Sequence, residues 1–151
     1  MKKLFFIFFI SNSLMAQTIQ PLSNYSLEDL LKNDDTNHHV IKACVSLYSA
    51  IIELTRKKYP DLANQFYEIA NTIYPYGIIS LKKIQNISYQ KAEKVFFNNV
   101  SKLTDAYIDE MNKNGKKNGS YFKDSFLGND LFFCHEITKS MQLMVQESIG
   151  E

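Results

Sequence analysis

Four long segments of this chain repeat apolar residues at alternating separations of four and three, the period of an amphipathic helix. In the first, Val40, Cys44, Leu47, Ile51 and Leu54 form the stripe, widened by Ile41 and Tyr48. Asp34, Asp35 or Thr36 can cap its start, and Arg56, Lys57 and Lys58 suit its negative dipole end. In the second, Leu62, Phe66, Ile69 and Ile73 follow Pro60, which fits a first helical turn because its missing N–H costs nothing there. Pro75, with Gly77 close behind, predicts a kink or break before the pattern resumes at Ile78 to Ile84. The third stripe is Phe96, Val100, Leu103, Tyr107 and Met111, with Ser88 as its cap and Gly115 as its expected end. The fourth, expected to start at Asn129 or Asp130, is Leu131, Cys134, Thr138, Met141 and Val145, flanked by Ile137 and Met144. A short amphipathic turn at 26–31 precedes the first stripe. Segments 17–24 and 112–120 read as weakly structured, the latter for its Asn, Lys and Gly.

Strand-like alternation is absent, and the chain holds only 5 Gly and 3 Pro. The expectation is an all-α fold: an up-down four-helix bundle, its second helix kinked near Pro75.

The two cysteines fit that bundle. Cys44 lies on the first stripe and Cys134 on the fourth, and the first and last helices of an up-down bundle are neighbours. In an oxidising compartment the two thiols are expected to form one inter-helix disulfide.

Such a compartment is what the N-terminus implies. Lys2 and Lys3 precede an unbroken apolar run from Leu4 to Ile10, and Leu14-Met15-Ala16 closes it on a small residue. This is the order of an export signal cleaved after Ala16, of bacterial type, and the run is far too short to span a bilayer. Residues 17–151 then form a single helical domain, periplasmic or secreted, with no membrane-spanning segment. Lys+Arg 17 stand against Asp+Glu 16. Losing Lys2 and Lys3 makes the remainder slightly acidic, which gives nucleic acid no general electrostatic hold.

Catalytic motifs are scarce. His38, His39 and His135 are the only histidines, and the first two sit at a helix start where polar residues are ordinary. Cys134-His135 is similar to the second half of a C-x-x-C-H haem attachment motif, but Leu131 stands where the first Cys is needed. No Glu-x-x-His pair supplies a di-metal bundle site, and no G-x-S-x-G or phosphate-cradling loop is present. Asp105 and Asp109, four apart on one helix, read as a solvated face. Neither a metal nor a cofactor is expected, and no catalytic residue is assigned.

The feature that the stripes do not absorb is aromatic. Tyr121, Phe122, Phe126, Leu127, Phe132 and Phe133 fall close together around Gly119 and Gly128, and Tyr74 to Gly77 form a second cluster. These form either a satellite core under the loop before the last helix or an exposed apolar surface. Phe122 and Phe126, with Tyr76 as companion if the clusters meet, are the candidate binding residues. The expected function is that of a small exported binding or interaction protein, without catalysis, whose partner is a protein or a small apolar ligand. The alternative is a periplasmic ligand-carrying or haem-binding four-helix bundle.

Overall fold

The computed structural model describes residues 19–149, so the export signal read in residues 1–16 lies outside the described residues. Among them the fold is all-α. A single 3-10 turn, Leu22–Asn24, leads into a short helix α1, Leu27–Lys32. Four long helices follow: α2 (Asp34–Thr55), α3 (Pro60–Gln85), α4 (Tyr89–Asn118) and α5 (Phe126–Ile149).

Helix α2 is central and packs against α3, α4 and α5. Cross-links between elements give the directions. Asp34 pairs with Lys83 at 2.7 Å, and Tyr48 lies on Phe66, so α2 and α3 run in opposite senses. His38 meets Phe96, and Ser46 meets Val100 and Thr104, so α2 and α4 run in the same sense. Cys44 and Cys134 are disulfide-bonded with Cα atoms 5.3 Å apart, tying α2 to α5.

The apolar stripes become the core largely as spaced. Val40, Cys44, Leu47 and Ile51 of α2 are buried, as are Phe96, Val100, Leu103, Tyr107 and Met111 of α4. On α3 the stripe starts late, because Leu62 stays 40% exposed while Ala63, Ala70 and Ile73 go inside. Cys134, Ile137 and Thr138 carry the inner face of α5; Met144 and Val145 lie outside the described side chains.

The helix ends show where local signals misplaced a boundary. Asn33, not one of the three residues after it, caps α2, its side chain accepting from the N–H groups of Asp35 and Thr36 at 2.9 and 3.2 Å. Ser88 caps α4 as expected, accepting from Lys91 N–H at 3.3 Å. Gly115, however, lies inside α4. The helix ends at Asn118, and Gly119 supplies the left-handed residue with φ 71°. The segment 112–120 is thus mostly helix rather than loop. Helix α5 starts at Phe126, before the expected Asn129 or Asp130. Helix α3 runs through Pro75 without interruption, so the interruption expected there is at most a local kink. Pro75 has no N–H for the Asn71 carbonyl, but both residues are exposed, where water can take the lost bond.

Segment 19–24, the described part of the 17–24 stretch expected to be weakly structured, is instead pinned to the bundle. Leu22 is fully buried, and its N–H donates to the Asp130 carboxylate at 2.7 Å.

Candidate functional site

The aromatic segment does not behave as one patch. Leu127 is fully buried, Phe122, Phe126 and Phe133 are half-buried against the core, and Phe132 is 68% exposed on the outer face of α5. Tyr76 is half-buried on α3. The two clusters also lie at different heights. Gly77 abuts Phe96 and Gly115 abuts Tyr121, and those two α4 positions are separated by roughly 28 Å of helix at 1.5 Å per residue. Tyr76 and Phe122 are therefore not companions in one site.

What the loop between α4 and α5 does build is a groove. A cavity of about 580 Å³ is lined by Asn112, Gly115, Lys116, Gly119, Ser120, Tyr121 and Phe122. Its wall is held by one buried side chain. The Asn114 amide donates to the carbonyls of Ser120, Tyr121 and Lys123 at 2.9, 3.0 and 2.9 Å. Asn118 adds bonds to Asn114 Oδ1 and to the Lys123 carbonyl at 2.8 and 3.3 Å. Ser120 Oγ accepts from the N–H groups of Phe122 and Lys123, both at 3.3 Å. Two glycines let the loop close: the Tyr121 ring lies 3.1 Å from where a Gly115 Cβ would be, and the Phe122 carbonyl 3.2 Å from where a Gly128 Cβ would be. Sequence reasoning singled out Phe122 but missed Asn114. Nothing local distinguishes it from the chain's many other asparagines.

A second polar feature lies deeper. Asp130 is fully buried and receives the Leu22 N–H and the Tyr107 hydroxyl, the latter at 3.4 Å. Burial raises its carboxyl from 3.8 to about 6, although the bonds from Leu22 and Tyr107 pull the other way. Burial, and then the Asp130 charge, push the Tyr107 hydroxyl up as well. Asp130 holds the N-terminal segment through Leu22, and Tyr107 bonds the other oxygen of the same carboxylate.

His38 and His39 pack against rings rather than standing in solvent, and the three histidines are not gathered. His38 lies against Phe96 with ring centroids 5.6 Å apart, and His39 against Tyr25 at 5.3 Å. His135 is exposed on α5. His38 Nδ1 and His39 Nε2 are buried without hydrogen-bond partners. Desolvation, then the nearby Lys42 ammonium, lower the pKa of both rings. Among the described residues no group of three or more His, Cys, Asp or Glu side chains is placed to hold a metal ion. Asp105 and Asp109 are exposed, a solvated face.

These groups give stability two opposed responses to acid. A histidine whose folded pKa lies below 6.5 costs stability as pH falls past 6.5, because the unfolded chain takes the proton first. A carboxyl raised to about 6 does the reverse: stability is full below the unfolded value of 3.8 and is lost as pH rises through about 6. Asp130→Asn removes only the second response, while its amide oxygen can still accept from Leu22. The variant is expected to melt several degrees above the wild type at pH 8, with the gap closing as pH falls through about 6. Melting curves across that range check it; a gap that does not change with pH would show that Asp130 is not the titrating group.

No protein-family model, curated protein or solved structure matches this chain. Among the described residues no helix is long and apolar enough to cross a membrane.

Proposed function

We infer that this chain is a small exported binding or interaction protein, acting without catalysis, and that its contact surface is the groove at the corner of α4 and α5. The observation that carries this reading is the loop's construction. One buried amide, Asn114, fixes three backbone carbonyls of the loop, those of Ser120, Tyr121 and Lys123, yet Tyr121 and Phe122 are left half-exposed at the rim. A surface loop whose shape is set before contact loses little entropy on binding. A loop held only for stability would be expected to bury those rings fully. Asp130 and Tyr107 are already engaged in the fold, bonded to each other and, for Asp130, to Leu22.

The test separates core from contact. If Tyr121 and Phe122 serve contact, alanine at either position should leave the melting temperature within a few degrees of wild type. A fully buried Phe→Ala typically costs about 3–5 kcal/mol, and a loss of that size in both variants would return them to the core. A photo-crosslinking residue at 122 should capture a partner or ligand that the same residue at Phe97, exposed on the flank of α4, does not. Equal capture at both positions, or none at 122, would remove the groove as the site.

A further inference from the structure

The loop that frames the groove hangs on a side chain that water can change. The chain contains two Asn-Gly pairs, Asn114-Gly115 and Asn118-Gly119, about one turn apart along α4. Asparagine is chemically labile, and most so before glycine, whose missing Cβ leaves its backbone N open to approach. That N attacks the asparagine Cγ and a cyclic imide closes. The Cγ–Nδ2 bond breaks, and ammonia leaves with the proton of the glycine N–H. Water then opens the ring at either carbonyl, giving aspartate or isoaspartate. The sum is one water consumed and one ammonia released, with no other reactant. In a folded chain the outcome depends on whether the glycine N and the asparagine Cγ can meet.

The fold treats the two pairs differently. Asn114 is buried with its amide bonded to three carbonyls, and Gly115 lies inside α4 with Tyr121 laid against it. Closing a ring there would break the helix hydrogen bonds on either side. Asn118 is instead the last residue of α4. Gly119 is exposed, and no atom lies within 4 Å of where its Cβ would be. One bond closes the cap, from the Gly119 N–H to the Gly115 carbonyl at 3.0 Å. Helix ends fray at little cost, and losing that bond frees the Gly119 N to turn onto Asn118 Cγ.

The bonds that Asn118 makes set the consequence. Its Nδ2 donates to Asn114 Oδ1 at 2.8 Å and to the Lys123 carbonyl at 3.3 Å. A carboxylate has no proton to give, so an anion would face two oxygens where a donor stood. The buried Asn114 side chain would lose that donor, which is costly away from water. The new charge would also sit at the negative end of the α4 dipole. Isoaspartate goes further, adding a carbon to the backbone at the cap itself. Every one of these changes loosens the wall of the groove.

We propose that Asn118 is a site of spontaneous deamidation in the folded protein, and that its conversion to aspartate or isoaspartate loosens the 119–125 loop. The reaction acts as a clock on the shape and charge of the groove, whatever the groove binds.

The experiment is to age the chain lacking residues 1–16 in mildly alkaline buffer, native and in denaturant, and to map its peptides by mass. In denaturant both pairs are expected to convert together. In the native protein Asn118 is expected to convert while Asn114 stays intact. Each converted molecule gains one negative charge and separates from its parent by ion exchange. In that acidic fraction, amide exchange over 119–125 should be several-fold faster than in fresh protein, with exchange in α2 unchanged. Asn118→Asp should show the same faster loop exchange without ageing. The proposal is overturned if Asn118 of the native protein stays intact while the denatured chain converts. It is also overturned if Asn114 converts as fast as Asn118 in native protein, which would route the reaction through global unfolding. Loop exchange unchanged both in the acidic fraction and in Asn118→Asp would reject the structural consequence.

Discussion

Cys44→Ala/Cys134→Ala is expected to melt ten degrees or more below the wild type. The bond joins residues 90 apart, and closing a loop of that length in the unfolded chain contributes about 4.5 kcal/mol by chain entropy, with observed losses of about 2–5 kcal/mol. For a domain of this size, 1 kcal/mol moves the melting temperature by roughly 3–5 °C. Both sulfurs lie in the core, so alanine also leaves a small cavity between α2 and α5. One contact at that seam survives the loss: the hydroxyls of Tyr48 and Thr138 lie 3.3 Å apart, one turn along each helix from the cysteines. The seam should therefore weaken without opening, and the variant should keep its helical content at room temperature. Replacing both residues avoids a free thiol that would confuse the measurement. Wild-type protein heated with and without reductant gives an independent reading. Coincident melts, or two alkylatable thiols in denatured but unreduced protein, would show that the bond does not form.

The stripes were legible because they rest on a rule that acts at short range, and the disulfide, although it joins residues 90 apart, followed from them once the first and last helices were taken as neighbours in an up-down bundle. A residue seven positions along a helix returns to the same face whatever the rest of the chain does. The stripe residues of α2 and α4 are accordingly buried, Leu54 alone lying at the edge, although central α2 also buries Ala43, Val45, Ser46 and Ala50 and α4 buries Ala92, Thr104 and Asn114. Other features that depend on distant chain were not legible. Leu22 and Asp130 are 108 residues apart, and neither carries a local sign of the other. Read locally, Asp130 is an ordinary helix start; in the fold it is a buried carboxyl that anchors the N-terminal segment. Gly115 was expected to end α4, yet Gly119, four residues on, supplies the left-handed cap. The choice falls to Gly119 because the loop folds back, laying Tyr121 against Gly115 and requiring positive φ four residues later. Gly128 looked like loop for a similar reason, although it lies in the first turn of α5 to admit the Phe122 carbonyl. The aromatic segment was visible as a surplus, but its division between core, groove rim and open surface follows from the same fold-back.

Gly77 gives the sharpest test of that distinction, because its local and structural meanings predict opposite signs. Read locally, beside Pro75, it is a flexible residue at an interruption, and alanine there should help: alanine is favoured over glycine inside a helix by about 1 kcal/mol. In the fold it is where α3 lies against the Phe96 ring of α4. A Cβ at Gly77 would lie 2.1 to 2.8 Å from three atoms of the Phe96 ring. That ring is fully buried and cannot swing aside, since Tyr74 packs edge-on at 5.2 Å and His38 lies at 5.6 Å. Overpacking of this kind costs about 1–3 kcal/mol and more where neighbours are rigid, which outweighs the propensity gain. Gly77→Ala is therefore expected to be destabilising, by a net of about 1–2 kcal/mol, and Gly77→Val by more. Phe96→Leu alone should also destabilise, by opening space at the same point. Combined, the two changes should be less harmful than their sum, because the added methyl fills what the smaller side chain vacates. Denaturant melts of the two single variants and the double variant measure that coupling. A Gly77→Ala variant as stable as wild type, or single effects that simply add, would mean that glycine is there for backbone freedom and that the contact with Phe96 sets nothing.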